Sequence, residues 1–223
     1  MKAKTGYIIS AALFSAFVIL TVLLKTVDVG ISSVGEKIGF YSINTSFFEF
    51  TGVNSLWDTV TDVIAAVAIA AAAAFAVLGL VQLIKRKSIK KVDPELLFLG
   101  AAYVVSAAFY IFFEIVVINC RPVIMEGDQA AEASYPSSHT FLTCVILATA
   151  ALIIGKYIKR AGLRLAVQVC CVSFIVITVV GRLLSGVHWL TDICGGVILS
   201  ASVVYLYSAV ISDDRIKLNK TGK

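Results

Sequence analysis

Apolar residues in this chain come in long unbroken runs, without the strict alternation of a half-buried strand. Six runs reach or approach the roughly 20 residues that a helix needs to cross a bilayer core. They are 7–24, 60–84, 96–118, 140–158, 163–180 and 193–211. Polar flanks extend the two shortest into the headgroup layer. Runs of this length without period-two alternation argue against a transmembrane barrel. The expected fold is an all-α membrane protein with six transmembrane helices, forming a single integral-membrane domain over 1–223. The longest non-spanning stretch, 26–59, mixes Ile31, Phe40, Tyr41, Phe47, Phe48, Phe50 and Trp57 with Ser, Gly and Asn. Such a mixture suits a short interfacial segment between helices one and two, acting as a cover with an aromatic belt or as a lip that guides an apolar tail.

Charge then orients the spans. Lys2 and Lys4 precede the first, Lys85, Arg86, Lys87, Lys90 and Lys91 separate the second and third, and Lys156, Lys159, Arg160 and Arg164 surround the turn between the fourth and fifth. Arg215, Lys217, Lys220 and Lys223 follow the sixth. With six spans all four groups share one face, which the positive-inside rule makes cytoplasmic together with both termini. The opposite loops carry Asp28, Glu36, Glu49, Asp58, Glu126, Asp128 and Glu132. The net charge of +5 follows from this topology and gives no support to nucleic-acid binding, because the basic residues are split among short segments. The 59% hydrophobic content and mean hydropathy of +0.94 agree with the membrane class. The first span has a basic start and an apolar core, but no small-x-small cleavage site precedes Lys25, so it is expected to remain as a helix. The five cysteines form no C-x-x-C pair and read as small buried hydrophobes, and no zinc or other metal site is expected.

Candidate chemistry lies on the outer face. The chain has only two histidines, His139 and His188. Arg121-Pro122 follows the third span, Pro136-Ser137-Ser138-His139 opens the fourth, and Gly181 to Asp192 links the fifth and sixth. A histidine with an aspartate four residues on can be held in one tautomer and made nucleophilic. Two arginines, Arg121 and Arg182, can clamp a phosphoryl group. Ser137 or Ser138 can cap a helix whose N-terminus offers free N–H groups to an anion. His188 and Asp192 share a helical face if the sixth helix begins early enough to include both. Singly these residues also fit interfacial anchors or a helix cap. Together they point to phosphate-ester chemistry on a membrane lipid.

With these residues the chain resembles the type-2 phosphatidic acid phosphatase superfamily of integral-membrane lipid phosphatases, whose pattern is K-x6-R-P, P-S-G-H and S-R-x5-H-x3-D. The third part is Gly181-Arg182, five residues, His188, three residues, Asp192, with Gly181 in place of Ser. The second is Pro136-Ser137-Ser138-His139, with Ser138 in place of Gly. The first keeps Arg121-Pro122, but Glu114 stands in the lysine position. The resemblance implies that His188 attacks phosphorus to form a phosphohistidine, Asp192 orients it, and His139 acts as general acid and then base. Arg121, Arg182 and the amides near Ser137 and Ser138 would hold the phosphoryl oxygens, with no metal or other cofactor. Glu114, about two turns below Arg121 on a continuous helix, is expected to pair with Arg121 or Arg182 and position it. The implied activity is hydrolysis of a lipid phosphate or isoprenyl pyrophosphate at the outer membrane face. Candidate substrates are isoprenyl pyrophosphate, phosphatidate and phosphatidylglycerol phosphate. A lipid phosphotransferase, or a non-catalytic lipid-phosphate binding or transport component, remains the alternative.

Overall fold

A computed structural model describes residues 3–125 and 127–213, so Lys2, Glu126, Arg215, Lys217, Lys220 and Lys223 of the charge pattern lie outside the described residues. The elements in order are α1 (Ala3–Leu23), a hairpin of β1 (Gly30–Ile31) and β2 (Lys37–Ile38), α2 (Tyr41–Thr51), α3 (Ser55–Arg86), a 3₁₀ turn (Ile89–Lys91), α4 (Pro94–Ile115), α5 (Ser138–Tyr157), α6 (Ala161–Ser185) and α7 (Leu190–Ser212). Six of these helices, α1 and α3 to α7, are long and apolar enough to cross a membrane.

Local chemistry sets the helix ends, and at two places it moves them from where hydropathy puts them. Asn54 caps α3 by accepting from the amides of Leu56 and Trp57, so the helix starts five residues before the apolar run and takes Asp58 and Asp62 into its first two turns. At 32 residues α3 is about 48 Å long, more than the hydrocarbon core needs, which leaves those acidic turns at its edge. In α4, Pro94 fills the first position, and the helix stops at Ile115, short of the expected 118. Glu114 therefore sits in the last turn of α4. The chain runs non-helically from there to Arg121, so the two are not separated by two helical turns.

α5 and α7 form the centre of the bundle. Their most apolar stretches are 56% and 50% buried, against 22% or less for the other four spans, which face outward around them. α1 lies along α7, pinned by reciprocal hydrogen bonds in which Ser10 Oγ donates to the Ser202 carbonyl and Ser202 Oγ to the Ser10 carbonyl. α3 and α6 flank α5 around Ile64, Ala68, Ile146, Leu147 and Cys171.

The two ends of the bundle differ in chemistry. At the basic end Asp93 accepts from Arg86 at 2.9 Å and Gln82 at 3.0 Å, and Lys156 pairs with Glu95 at 2.6 Å. Burial pushes the Asp93 carboxyl up, but the hydrogen bonds from Arg86 and Gln82 and the Lys156 charge outweigh it and hold the group at about 2. At the opposite end α2 lies over the start of α7. Asn44 donates to the Thr191 hydroxyl and accepts from its amide, and Phe48 packs against Trp189 with ring centroids 5.7 Å apart. This is the short helix expected between spans one and two. Gly186, at φ +69, lets the Gly52 carbonyl come so close that a Cβ would lie 1.9 Å from it.

Candidate active site

The link between α6 and α7 carries His188. Its side chain is 2% exposed and both ring nitrogens are buried without a hydrogen-bond partner. Helix α7 begins at Leu190, so His188 precedes it and does not share a helical face with Asp192 as the spacing suggests. The two side chains still meet, because the turn folds back: Nδ1 of His188 lies 3.7 Å from Oδ2 of Asp192. That is longer than a hydrogen bond but close enough for a small ring rotation to make one. Asp192 is fully buried and is itself fixed. Its Oδ2 accepts from the Trp189 amide at 3.0 Å, and its Oδ1 from Asn119 Nδ2 at 3.3 Å. The helix-capping role and the histidine-orienting geometry therefore coexist in one carboxylate. Burial first, then the charges of Arg182 and Arg121, hold the His188 imidazole well below the usual histidine range, so it is neutral and has a lone pair to offer at neutral pH.

The start of α5 brings in the second motif. Ser137 caps the helix, its hydroxyl accepting from the Thr140 amide at 3.5 Å, and its own amide donates to the Asp192 carbonyl at 3.1 Å. The Ser137 amide is thus engaged within the protein, while its hydroxyl, accepting from Thr140, keeps its own hydrogen to donate. Ser138, one residue on, lines the cavities described below. His139 is tied through Nε2 to Asp62 Oδ1 at 3.0 Å, while its Nδ1 is buried without a partner.

Each arginine has an acidic partner on one side and an unpartnered Nε on the other. Arg182, 1% exposed, uses Nη1 to reach Asp58 Oδ1 at 2.6 Å, Thr61 Oγ1 at 3.2 Å and Asp62 Oδ1 at 3.3 Å. Arg121 pairs through Nη2 with Glu132 at 3.1 Å, aided by a chain reversal in which Cys120 bridges to Ala133. The Nε atoms of both are buried and have no hydrogen-bond partner. The positioning pair expected from Glu114 is made instead by Glu132 for Arg121 and by Asp58 and Asp62 for Arg182. Glu114 shares a cavity wall with Arg121, near enough for the guanidinium charge to act on its carboxyl. Asp58, Thr61, Asp62, Asn119 and Glu132 are site residues that the motifs do not contain. The signal available for the first three is an Asn54 cap followed by two carboxylates four residues apart, one just ahead of the apolar run that starts at 60 and one within its first turn.

Two adjoining cavities complete the site. A small polar one, about 20 Å³, is walled by Glu114, Arg121, Ser134, Ser138 and His188 with Phe113 and Phe141. That is room for about one water, so any larger anion entering it would have to spread the surrounding side chains. An apolar one, about 270 Å³, runs between α3, α4 and α5 along Ala65, Ala68, Ile69, Leu142 and Ile146, beginning at Ser138 and His139. Tyr110 and Ser138 line both.

Comparison with known proteins gives a match to the family description "PAP2 superfamily" over residues 95–216. A crystal structure described as the first transmembrane PAP2-type phosphatidylglycerolphosphate phosphatase, from Bacillus subtilis, superposes with a TM-score of 0.61 at 17% identity. The superposition covers 93% of this chain and 96% of that one. No curated protein matches.

Proposed function

Because this chain belongs to the PAP2 superfamily, we propose that it removes phosphate from a membrane lipid, as a phosphomonoester or an isoprenyl pyrophosphate, through a phosphohistidine at His188. The observation that carries this reading is the set of buried, unpartnered nitrogens: Nε of Arg121, Nε of Arg182, Nδ1 of His139 and both nitrogens of His188. Leaving several buried polar atoms unmet is costly unless a ligand completes them; a phosphate ester does so, its oxygens accepting from the two arginines and its phosphorus facing the lone pair of the neutral His188. The apolar cavity starting at His139 suits the hydrocarbon tail of the same molecule.

In the first step the neutral His188 attacks phosphorus while the lipid oxygen departs with a proton from His139. Asp192 stabilises the charge that appears on the His188 ring. Arg121, Arg182 and Ser138 hold the phosphoryl oxygens as charge develops on them. In the second step His139 takes a proton from water, which displaces His188 and frees inorganic phosphate. No metal enters this scheme.

The test is phosphate release by the purified protein in excess chelator, on phosphatidate, phosphatidylglycerol phosphate and an isoprenyl pyrophosphate in parallel. Release from at least one is expected, and none from any would overturn the reading. In the same assay Glu114→Lys is expected to lower kcat/KM by roughly tenfold, since a lysine there repels Arg121 across a cavity of about 20 Å³. A rate gain would instead mark Glu114 as a defect in a degenerate site.

We place the site on the outer face, supported by the basic residues at the other end of the bundle. Single cysteines at Glu36 and Asp128, both exposed, are expected to react with an impermeant thiol reagent on intact cells, and one at Lys90 only after permeabilisation. The reverse pattern would put the chemistry in the cytoplasm.

A further inference from the structure

We propose that Asp62 is a positioning residue that holds the His139 imidazole with Nε2–H donated to its carboxylate, leaving Nδ1 to carry the transferred proton, and that the same carboxylate oxygen couples His139 to Arg182. This deepens the proposed phosphatase reading and rests on it for the direction of proton transfer.

The geometry is specific. Asp62 Oδ1 lies 3.0 Å from Nε2 of His139 and 3.3 Å from Nη1 of Arg182. A carboxylate has no proton to donate at neutral pH, so Nε2 carries the hydrogen and the unpartnered Nδ1 is the free atom. Asp58 takes the shorter contact to Arg182, which leaves Asp62 available to His139. The charged groups around His139 are Asp62 and, through Arg182, Asp58 on α3, Arg182 itself on α6, and Arg121 from the link after α4; the titratable but neutral His188 lies in the link before α7. Among these Asp62 is the anion in direct contact with the ring.

A second observation shows that α3 is seated for this contact. Gly181 stands where the family pattern has serine. A Cβ at Gly181 would lie 2.7 Å from Thr61 Cγ2 and 3.0 Å from Trp57 Cε3. The missing side chain lets the acidic turns of α3 close onto the residue after it, Arg182. The departure from the motif on α6 and the carboxylates on α3 are thus two halves of one contact.

The chemical consequence concerns the step in which the lipid leaves. The phosphorus–oxygen bond to the lipid breaks as the phosphorus–nitrogen bond to His188 forms, and the proton on Nδ1 passes to the lipid oxygen. His139 must enter this step with both nitrogens protonated, beside two arginines that oppose its charge. The Asp62 carboxylate favours that charged form. In the second step water bonds to phosphorus, its proton returns to Nδ1, and the bond to His188 breaks.

The presence of only two histidines makes the test direct. Protein labelled with ¹⁵N-histidine should show two imidazoles, assigned with His139→Gln. In Asp62→Asn the His139 titration midpoint should fall by about one pH unit. Its kcat should fall roughly 10- to 100-fold at little change in KM, with the alkaline limb of the pH–rate profile moved down by a similar amount. Asp62→Glu should recover part of both. Asp62 is half exposed, so the fold is expected to survive each change. An unchanged His139 midpoint in Asp62→Asn would overturn the proposal even if the wild type is an active phosphatase. If the wild type released no phosphate, the spectra would still decide the Asp62 contact, so the two failures are distinguishable.

Discussion

His188→Ala is expected to lower kcat by about 10⁴-fold or more, a loss of at least about 5.5 kcal/mol of transition-state stabilisation, with the helical fold intact. The magnitude follows from the role: without the imidazole no phosphoryl–enzyme bond forms, and the arginines can hold a lipid phosphate but not cleave it. Survival of the fold follows from position, since His188 lies in the link before α7 and makes no hydrogen bond on which the packing depends. Single-turnover assays with a labelled phosphate should show transfer of label to the wild type and none to the variant. The wild-type pH profile checks the same group. Burial and the two arginines keep His188 neutral well below the ordinary histidine midpoint, so loss of rate on acidification should not be its protonation until the pH is far below 6.5. Near-normal turnover by folded His188→Ala would end the phosphohistidine mechanism.

The second large effect is expected at Asp192. Asp192→Asn should reduce kcat by up to about 10⁴-fold, the loss found when the carboxylate that orients a catalytic-triad histidine becomes an amide. KM should change little, because Asp192 is fully buried and lines neither cavity. The amide oxygen can still accept from Trp189, so the start of α7 should be kept, but the charge that stabilises a phosphorylated imidazole is gone. A thermal midpoint close to wild type with a collapsed kcat separates this outcome from a packing defect. An unchanged kcat would leave Asp192 as a helix cap alone.

Much of this fold can be read from apolar run length, because a helix in lipid must satisfy its own backbone and needs a fixed number of apolar residues to do it. The six spans are legible that way, and the family motifs pick out His139, His188, Asp192, Arg121 and Arg182. What hydropathy misses is polar by nature. Residues 55–59, with Asp58, look like loop until Asn54 is recognised as a cap, while Asp62 lies inside the apolar run from 60 and belongs to no motif although it touches His139. The spacing of Glu114 misleads because it implies a continuous helix to Arg121, whereas α4 ends at Ile115. The partner of Arg121, Glu132, depends on a chain reversal between 120 and 133 that no periodicity announces. Ser137 shows the converse: its identity as a cap is legible, but its amide bond to the Asp192 carbonyl is not.

Tyr110 and Ser138 stand at the junction of the polar and apolar cavities, and in the proposed phosphatase cycle that junction is where the products separate. The dephosphorylated lipid withdraws sideways among its neighbours while the phosphate is still bonded to the protein, and the anion leaves later, into water. Encounter and first release then both occur within the plane of a leaflet. The quantity that governs turnover is therefore how many substrate molecules lie in a patch of membrane, not how many are dissolved in a volume. Diluting the substrate with inert lipid should slow the protein, and diluting the whole suspension with buffer should not.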